Sequence, residues 1–378
     1  MSSLRLPNGI SFSKQALIGF TFFFIPLLLV DFGFTGLEIG ILMAVFPVMQ
    51  LFSSFPIGAI NDRLSIKYVM IAGMLLESAY FAGLALFSGF WAVLFFFALG
   101  GLGGNMFDTS VRSLNFKALG DGKKGRMLGI FQVATTGGFG TGILLGGLLL
   151  NRFAFGWVLL LSSAAMLVLA LASWVIADVE RIRFPIREYR ELILRKSTAL
   201  FLFPLFLFGL HWGAEHTSYS LFLTHNLGLD YFWMGLYMGI PVIMLAAISY
   251  YTGLRIDRKG SHHRAAFFAG ILLSGAGHIL MTIPPAPVSF IFRIVHEVGD
   301  GMAAVSYNLS FSKIFKVERI AGETGAAYTV ILLGNIVGAL AFGPLGSSAG
   351  YQWPLIISGA ISMASLAVLY PASRKVGF

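Results

Sequence analysis

A chain of 378 residues that is 57% hydrophobic and only 11% charged, with a mean hydropathy of +0.82, has too few charges to clothe a water-soluble domain, which carries about 25% of them. The absence of cysteine excludes a disulfide scaffold, and 37 phenylalanines exclude a disordered chain. The formal net charge of +9 raises the question of an acidic partner such as nucleic acid, and the positions of the charges answer it below.

Apolar windows of about 19 residues predict helices over 13–32, 36–60, 66–88, 91–113, 126–150, 156–177, 198–223, 231–253, 264–284, 288–312, 321–345 and 353–371. Each is long enough to cross a bilayer core, which takes about 20 residues. The fold class expected is therefore all-α: a polytopic membrane protein of 12 transmembrane helices. The apolar stretch after Lys14 is too long for a secretory leader and lacks a small-residue cleavage site, so it reads as an uncleaved first span.

If the N-terminus is cytoplasmic, 24 of the 26 Lys and Arg fall in inner segments, Arg5 and Lys14 in the first. Arg152 alone lies outside and Arg293 lies within a span. The positive-inside rule then predicts a multi-pass cell-membrane protein with both termini cytoplasmic. Charges spent on topology leave no basic patch, and no nucleic-acid partner is expected.

The longest polar connector, 179–197, separates residues 1–178 from 198–378, two sets of six helices. Its alternation of Arg and bulky residues fits either an amphipathic surface helix or a solvated linker. A repeat runs through the two sets. Gly58-Ala-Ile-Asn-Asp62-Arg63 recurs as Gly253-Leu-Arg-Ile-Asp257-Arg258, an offset of 195. Gly129, Gly138, Gly142 and Gly147 recur as Gly325, Gly334, Gly338 and Gly343, an offset of 196. Two pseudo-symmetric six-helix bundles in parallel orientation follow, related by an axis along the membrane normal.

The Gly-x-x-x-Asp-Arg loop and its duplicate resemble the signature loop of the major facilitator superfamily. Gly129, Gly138, Gly142, Gly146 and Gly147 resemble that family's antiporter motif, with Ile143 where the motif has proline. The resemblance covers the whole chain. It implies that Gly58, Asp62, Arg63, Gly253, Asp257 and Arg258 form a cytoplasmic latch between the halves, with Arg112 a partner for Asp62. An arginine that the family often places on helix 4 is replaced by the Phe96–Phe97 region.

Charges inside spans are costly and mark function. On helix 10, Arg293, His296, Glu297 and Asp300, followed by Tyr307 and Asn308, share a face about 120° wide. On helix 7, His211 and Glu215 are one turn apart and His216 is adjacent; on helix 4, Asn105, Asp108, Thr109 and Arg112 share a face. The resemblance implies that these stripes line one central cavity. Arg293 is expected to pair with Glu297 or Asp300, because an unpaired guanidinium in hydrocarbon is prohibitively costly. Glu77 on helix 3 and His278 on helix 9 sit on helices the family places at the periphery, and Asp31 and Glu38 at helix ends read as solvated. Trp212 and Trp233 are cavity-wall candidates.

The reading that follows is a secondary transporter working by alternating access. It would act as a monomer in the lipid bilayer, exchanging protons for a small amphipathic or cationic organic substrate. The competing readings are a proton-coupled symporter and a divalent-metal transporter using the histidines and carboxylates. The segment His296-Glu297-Val-Gly-Asp300 has the spacing of a zinc-hydrolase helix, but the remainder of the chain argues for transport rather than catalysis. No phosphate-binding loop is present, and no cofactor or bound metal is expected.

Overall fold

The computed structural model describes residues 5–117, 124–176, 196–259, 263–314 and 320–376. The linker 179–197 lies outside them apart from its last two residues. Within the described residues every predicted span is helical: α1 (Arg5–Asp31), α2 (Gly36–Arg63), α3 (Ile66–Leu86), α4 (Phe90–Lys117), α5 (Lys124–Leu150) and α6 (Phe155–Val175). Next comes α7, built of Lys196–Ala214, a π-turn Glu215–Tyr219, and Ser220–His225. The last five are α8 (Tyr231–Lys259), α9 (His263–Leu280), α10 (Ala286–Ile314), α11 (Ile320–Ala349) and α12 (Gln352–Ala364 with Leu366–Val376). Nine of the described helices are long and apolar enough to cross a membrane. The three outside that group are α7, α9 and α10, the helices that carry the His211, His278 and Arg293 cluster described below.

The helix starts are written locally. Thr35 and Glu38 form a reciprocal capping box at α2: Thr35 N–H donates to Glu38 Oε2 at 2.8 Å and Glu38 N–H to Thr35 Oγ1 at 3.3 Å. Asp230 caps α8, accepting the Trp233 N–H at 2.9 Å. Both caps stand at repeat-equivalent positions, and Glu38, expected to be merely solvated, is exposed but employed as a cap.

The chain forms two compact units. Unit 1 comprises Met1–Phe34, Val45–Phe184 and Leu229–Ile243; unit 2 comprises Thr35–Ala44, Pro185–Gly228 and Met244–Phe378. The helices α2 and α8 thus each contribute to both. Each carries a proline near its crossing point, Pro47 and Pro241, one residue out of the 195 register that Gly40 and Gly235 keep.

Within unit 1 the α5 glycine ladder is a docking groove for α1. Side chains at Gly138, Gly142 and Gly146 would collide with the backbone carbonyls of Phe12, Ala16 and Phe20. Within unit 2, Gly334 and Gly338 of α11 meet the carbonyls of Phe206 and Leu210 of α7 in the same way. Gly147 packs on Gly235 in unit 1 as Gly343 packs on Gly40 in unit 2. The sequence repeat is therefore a repeat of helix contacts, in which small residues let backbones approach closely. Ile143, where the antiporter motif has proline, is fully buried in an uninterrupted helix.

Candidate functional site: buried ionic networks

Unit 2 holds a cluster of ionic groups from three helices. Arg293 on α10 is fully buried and donates through Nη1 to Glu215 Oε1 of α7 at 2.6 Å, and through Nη2 to Glu297 on its own helix. Its guanidinium also lies over the Tyr219 ring, 4.6 Å from the centroid. Asp300 takes no part in holding Arg293. Its Oδ2 lies 3.3 Å from His211 Nε2 and 3.8 Å from His296 Nε2, while His296 Nε2 is 3.3 Å from Glu215 Oε1.

The far nitrogen of each ring is fixed by backbone. His211 Nδ1 faces the Phe208 carbonyl, and His296 Nδ1 faces the Ser274 carbonyl at 2.9 Å. A carbonyl only accepts, so in both rings Nδ1 carries the proton and donates. That leaves His211 Nε2 against Asp300 at 3.3 Å and His296 Nε2 3.3 Å from Glu215 Oε1, the latter without a hydrogen bond. A neutral imidazole facing an ionised carboxylate would set lone pair against lone pair, so each gap is a place for a proton, carried by the ring or by the carboxyl. The charge tally agrees. One guanidinium against Glu215, Glu297 and Asp300 leaves two carboxyls to be neutralised in a buried site, by protons of their own or by charged imidazoles.

His278 of α9 completes the cluster. Its ring is 5.6 Å from His211 and 4.7 Å from His296, both edge-on. Neither of its ring nitrogens has a hydrogen-bond partner among the described residues. The sequence leaves the role of His278 open; α9 packs along α10, with Gly277 against the His296 backbone, and this carries His278 into the cluster. His216 points elsewhere, to Asn335 of α11. Tyr307, on the polar stripe of α10, joins instead an apolar cluster with Leu202, Phe208 and Ile331.

The π-turn explains how α7 presents this face. One extra residue per turn at Glu215–Tyr219 shifts the register just where the glutamate must reach α10, and such bulges recur at functional sites. His211, Glu215 and His296 each offer a donor atom within 4.8 Å of the others, near enough to gather a divalent cation. Glu215 Oε1 is already committed to Arg293, however, and the fixed guanidinium charge opposes a second cation beside it.

Unit 1 has a separate network. Asn105 of α4 donates to Ser53 Oγ at 2.7 Å and to Ser54 Oγ at 3.1 Å, both on α2. Asp108 accepts from Lys14 Nζ at 3.3 Å and from Gln15 Nε2 at 3.1 Å. Lys14 in turn lies 3.0 Å from Glu77 Oε1. Lys14 is therefore not an inner-segment topology charge but a buried cation of α1. Glu77 is its buried partner, although α3 was expected at the periphery. The close approach of α3 and α4 at Gly73 and Gly103 puts Glu77 within reach.

Among the latch residues, Gly58, Asp62 and Arg63 lie on a helix that runs on through Arg63, leaving only Leu64–Ser65 between α2 and α3. Arg63 and Arg112 are exposed. Gly253, Asp257 and Arg258 are on α8; the side chains of Asp62, Asp257 and Arg258 lie outside the described residues, as does any pairing of Asp62 with Arg112. Gly129 is within α5. Trp233 is exposed, and Trp212 packs on Phe208 with ring centroids 6.0 Å apart.

Among the described residues the fold is all-helical, with apolar spans interrupted by buried ionic networks, as in an integral membrane protein. Residues 10–268 and 249–376 match the Major Facilitator Superfamily, and the chain belongs to that family. It is similar to the "Multidrug resistance protein MdtH" of Cronobacter sakazakii, 30% identical over 187 residues covering 47% of this chain and 46% of that one. The Citrobacter koseri protein of the same name is 31% identical over 180 residues, 45% of this chain and 44% of the relative. The matched stretch thus spans less than half the length of these relatives. Among solved structures, a POT family transporter in complex with 5-aminolevulinic acid superposes with a TM-score of 0.80 at 14% identity, covering 100% of this chain and 97% of that one. The nucleoside transporter NupG superposes at 0.76 and 13% identity, with 100% of both chains covered. These likenesses concern the fold.

Proposed function

We propose that the chain is a proton-coupled exporter of small amphipathic or cationic organic compounds. In this reading it works as a monomer, with both termini cytoplasmic and residues 1–178 and 198–378 alternating about the substrate. The observation that carries the reading is the charge shortfall in unit 2: Nε2 of His211 and of His296 each face a carboxylate across 3.3 Å, and the gaps call for protons. Protons held between imidazole and carboxylate leave when either partner moves, because separation removes the attraction that holds them. The multidrug-resistance name of the partial relatives supports the export direction and substrate class.

In proteoliposomes, Asp300→Asn removes one proton site while Arg293 keeps both glutamates. It is expected to lose at least tenfold of pH-gradient-driven ethidium transport while retaining gradient-free exchange. The triple variant Glu215→Gln, Glu297→Gln, Asp300→Asn is expected to abolish the gradient response. Intact gradient-driven transport in both would refute the coupling. Ethidium and protons moving in the same direction would replace antiport with symport.

A further inference from the structure

The Lys14–Glu77–Asp108 triad of unit 1 has no role in the scheme above, and its construction is unusual for a packing device. One cation faces two carboxyl groups, so acid outnumbers base in the group. The three members differ sharply in access: the side chains of Lys14 and Glu77 are 2% and 1% exposed, whereas that of Asp108 is 35% exposed. An anion has no route to the ammonium, which is enclosed by Glu77, Asp108 and the Phe107 ring 5.2 Å away. A cation has an open carboxylate to meet.

The surroundings are built for this. A side chain at Gly104 would lie 3.1 Å from Glu77 Oε1 and 3.9 Å from Lys14 Nζ, so glycine there leaves the pair its space. Gln15 holds the Asp108 carboxylate from the other flank, and the neighbouring Asn105 and Thr109 add neutral hydrogen-bonding groups, Thr109 Oγ1 donating to Asn105 Oδ1 at 3.2 Å. Glu77 Oε2 has no hydrogen-bond partner among the described residues, leaving it free to take more of Lys14 when Asp108 is otherwise engaged.

We infer that this triad is a binding site for the positively charged group of an organic cation. Asp108 is the contact, and Lys14 is an internal counter-ion that yields to the ligand and falls back on Glu77. The inference rests on the reading that organic cations are substrates and says where in unit 1 their charge is received. A protein-borne cation competing with the ligand makes a prediction that mere packing does not. Deleting the carboxylate weakens binding, whereas deleting the internal competitor strengthens it.

The test is equilibrium binding of ethidium to the purified full-length protein in nanodiscs, without a pH gradient. Asp108→Asn is expected to weaken binding about tenfold or more, and Lys14→Gln to tighten it several-fold. Should Lys14→Gln fail to fold because Glu77 is left buried and unpaired, the double variant Lys14→Gln, Glu77→Gln removes the pair together and is held to the same expectation. Unchanged affinity in Asp108→Asn, or unchanged or weaker affinity after loss of Lys14, would overturn the inference. Opposite shifts in binding together with unimpaired gradient-driven transport in the unit 2 variants would uphold this site and refute the coupling scheme, so the two fail separately.

Discussion

In unit 1 the buried cation is a lysine on α1 between one sealed carboxylate and one open one; in unit 2 it is an arginine on α10 between two sealed glutamates, with three imidazoles alongside. The backbones beneath are equivalent. Phe12 and Ala16 of α1 answer to Phe206 and Leu210 of α7, an offset of 194, and Gly103 answers to Gly299, an offset of 196. In that register Lys14 corresponds to Phe208, Asp108 to Ala304, Arg293 to Phe97 and Asp300 to Gly104. At these four positions, where one unit carries charge the other is apolar or small. The repeat preserves the backbone contacts and lets the polar groups differ, so helix packing and ionic chemistry answer to separate sets of residues.

The sharpest way to break this comparison is to remove each cation. Arg293→Gln leaves Glu215 and Glu297 buried without their partner and is expected to cost about 3–5 kcal/mol, read as a fall in the thermal unfolding midpoint of the purified protein. Lys14→Gln is expected to cost less, because Asp108 is open to water and keeps Gln15. Equal losses would mean that the two networks serve the same structural purpose. Next come the shared contacts. Gly142→Val and Gly338→Val each drive a branched side chain into a facing carbonyl, at about 1–3 kcal/mol or more. The two losses should match within experimental error, since the groove is the same; a marked inequality would break the repeat.

The smallest effects distinguish two serines, Ser78 of α3 and Ser274 of α9, each facing a neighbouring helix. Ser78 exchanges hydrogen bonds with Ser163, its Oγ 2.9 Å from Ser163 Oγ and 3.0 Å from its carbonyl. Ser78→Ala is expected to lower stability by about 0.5–1.5 kcal/mol and leave transport unchanged. Ser274 meets His296 chiefly through its backbone carbonyl, its Oγ being 3.4 Å away. Ser274→Ala is therefore expected to be nearly silent in unfolding.

The sequence made some of this legible. Charges on α10 recur at helical spacing, and one helix suffices to show that Arg293, Glu297 and Asp300 share a side. The glycine offsets were legible too, because small residues at close contacts leave a period that needs no partner to detect. What periodicity lacks is the neighbour. It places Asp300 and Arg293 on one face but does not say that Arg293 turns to α7 while Asp300 turns to the histidines. Lys14 near the start of an apolar window looks like any flanking charge until α3 and α4 supply its partners. Glu77 and His278 had no role legible in the sequence, because a helix's expected distance from the centre does not say which neighbours its side chains meet. Both helices lie closely along α4 and α10, so side chains on them reach the networks. The π-turn has no spacing signature, since it is an insertion into a helix whose residues remain helical.

The two proline-bearing helices have a mechanical meaning. A continuous α-helix is a stiff rod, and one shared by two bodies transmits any displacement of one to the other. In α2 and α8 the rod lacks one backbone hydrogen bond close to where it passes from one unit to the other, at Pro47 and Pro241. Bending stiffness is therefore lowered near the crossing in both rods, and in α2 again at Pro56. A bend in either helix then falls at a proline rather than at the glycine contacts of Gly40 and Gly235.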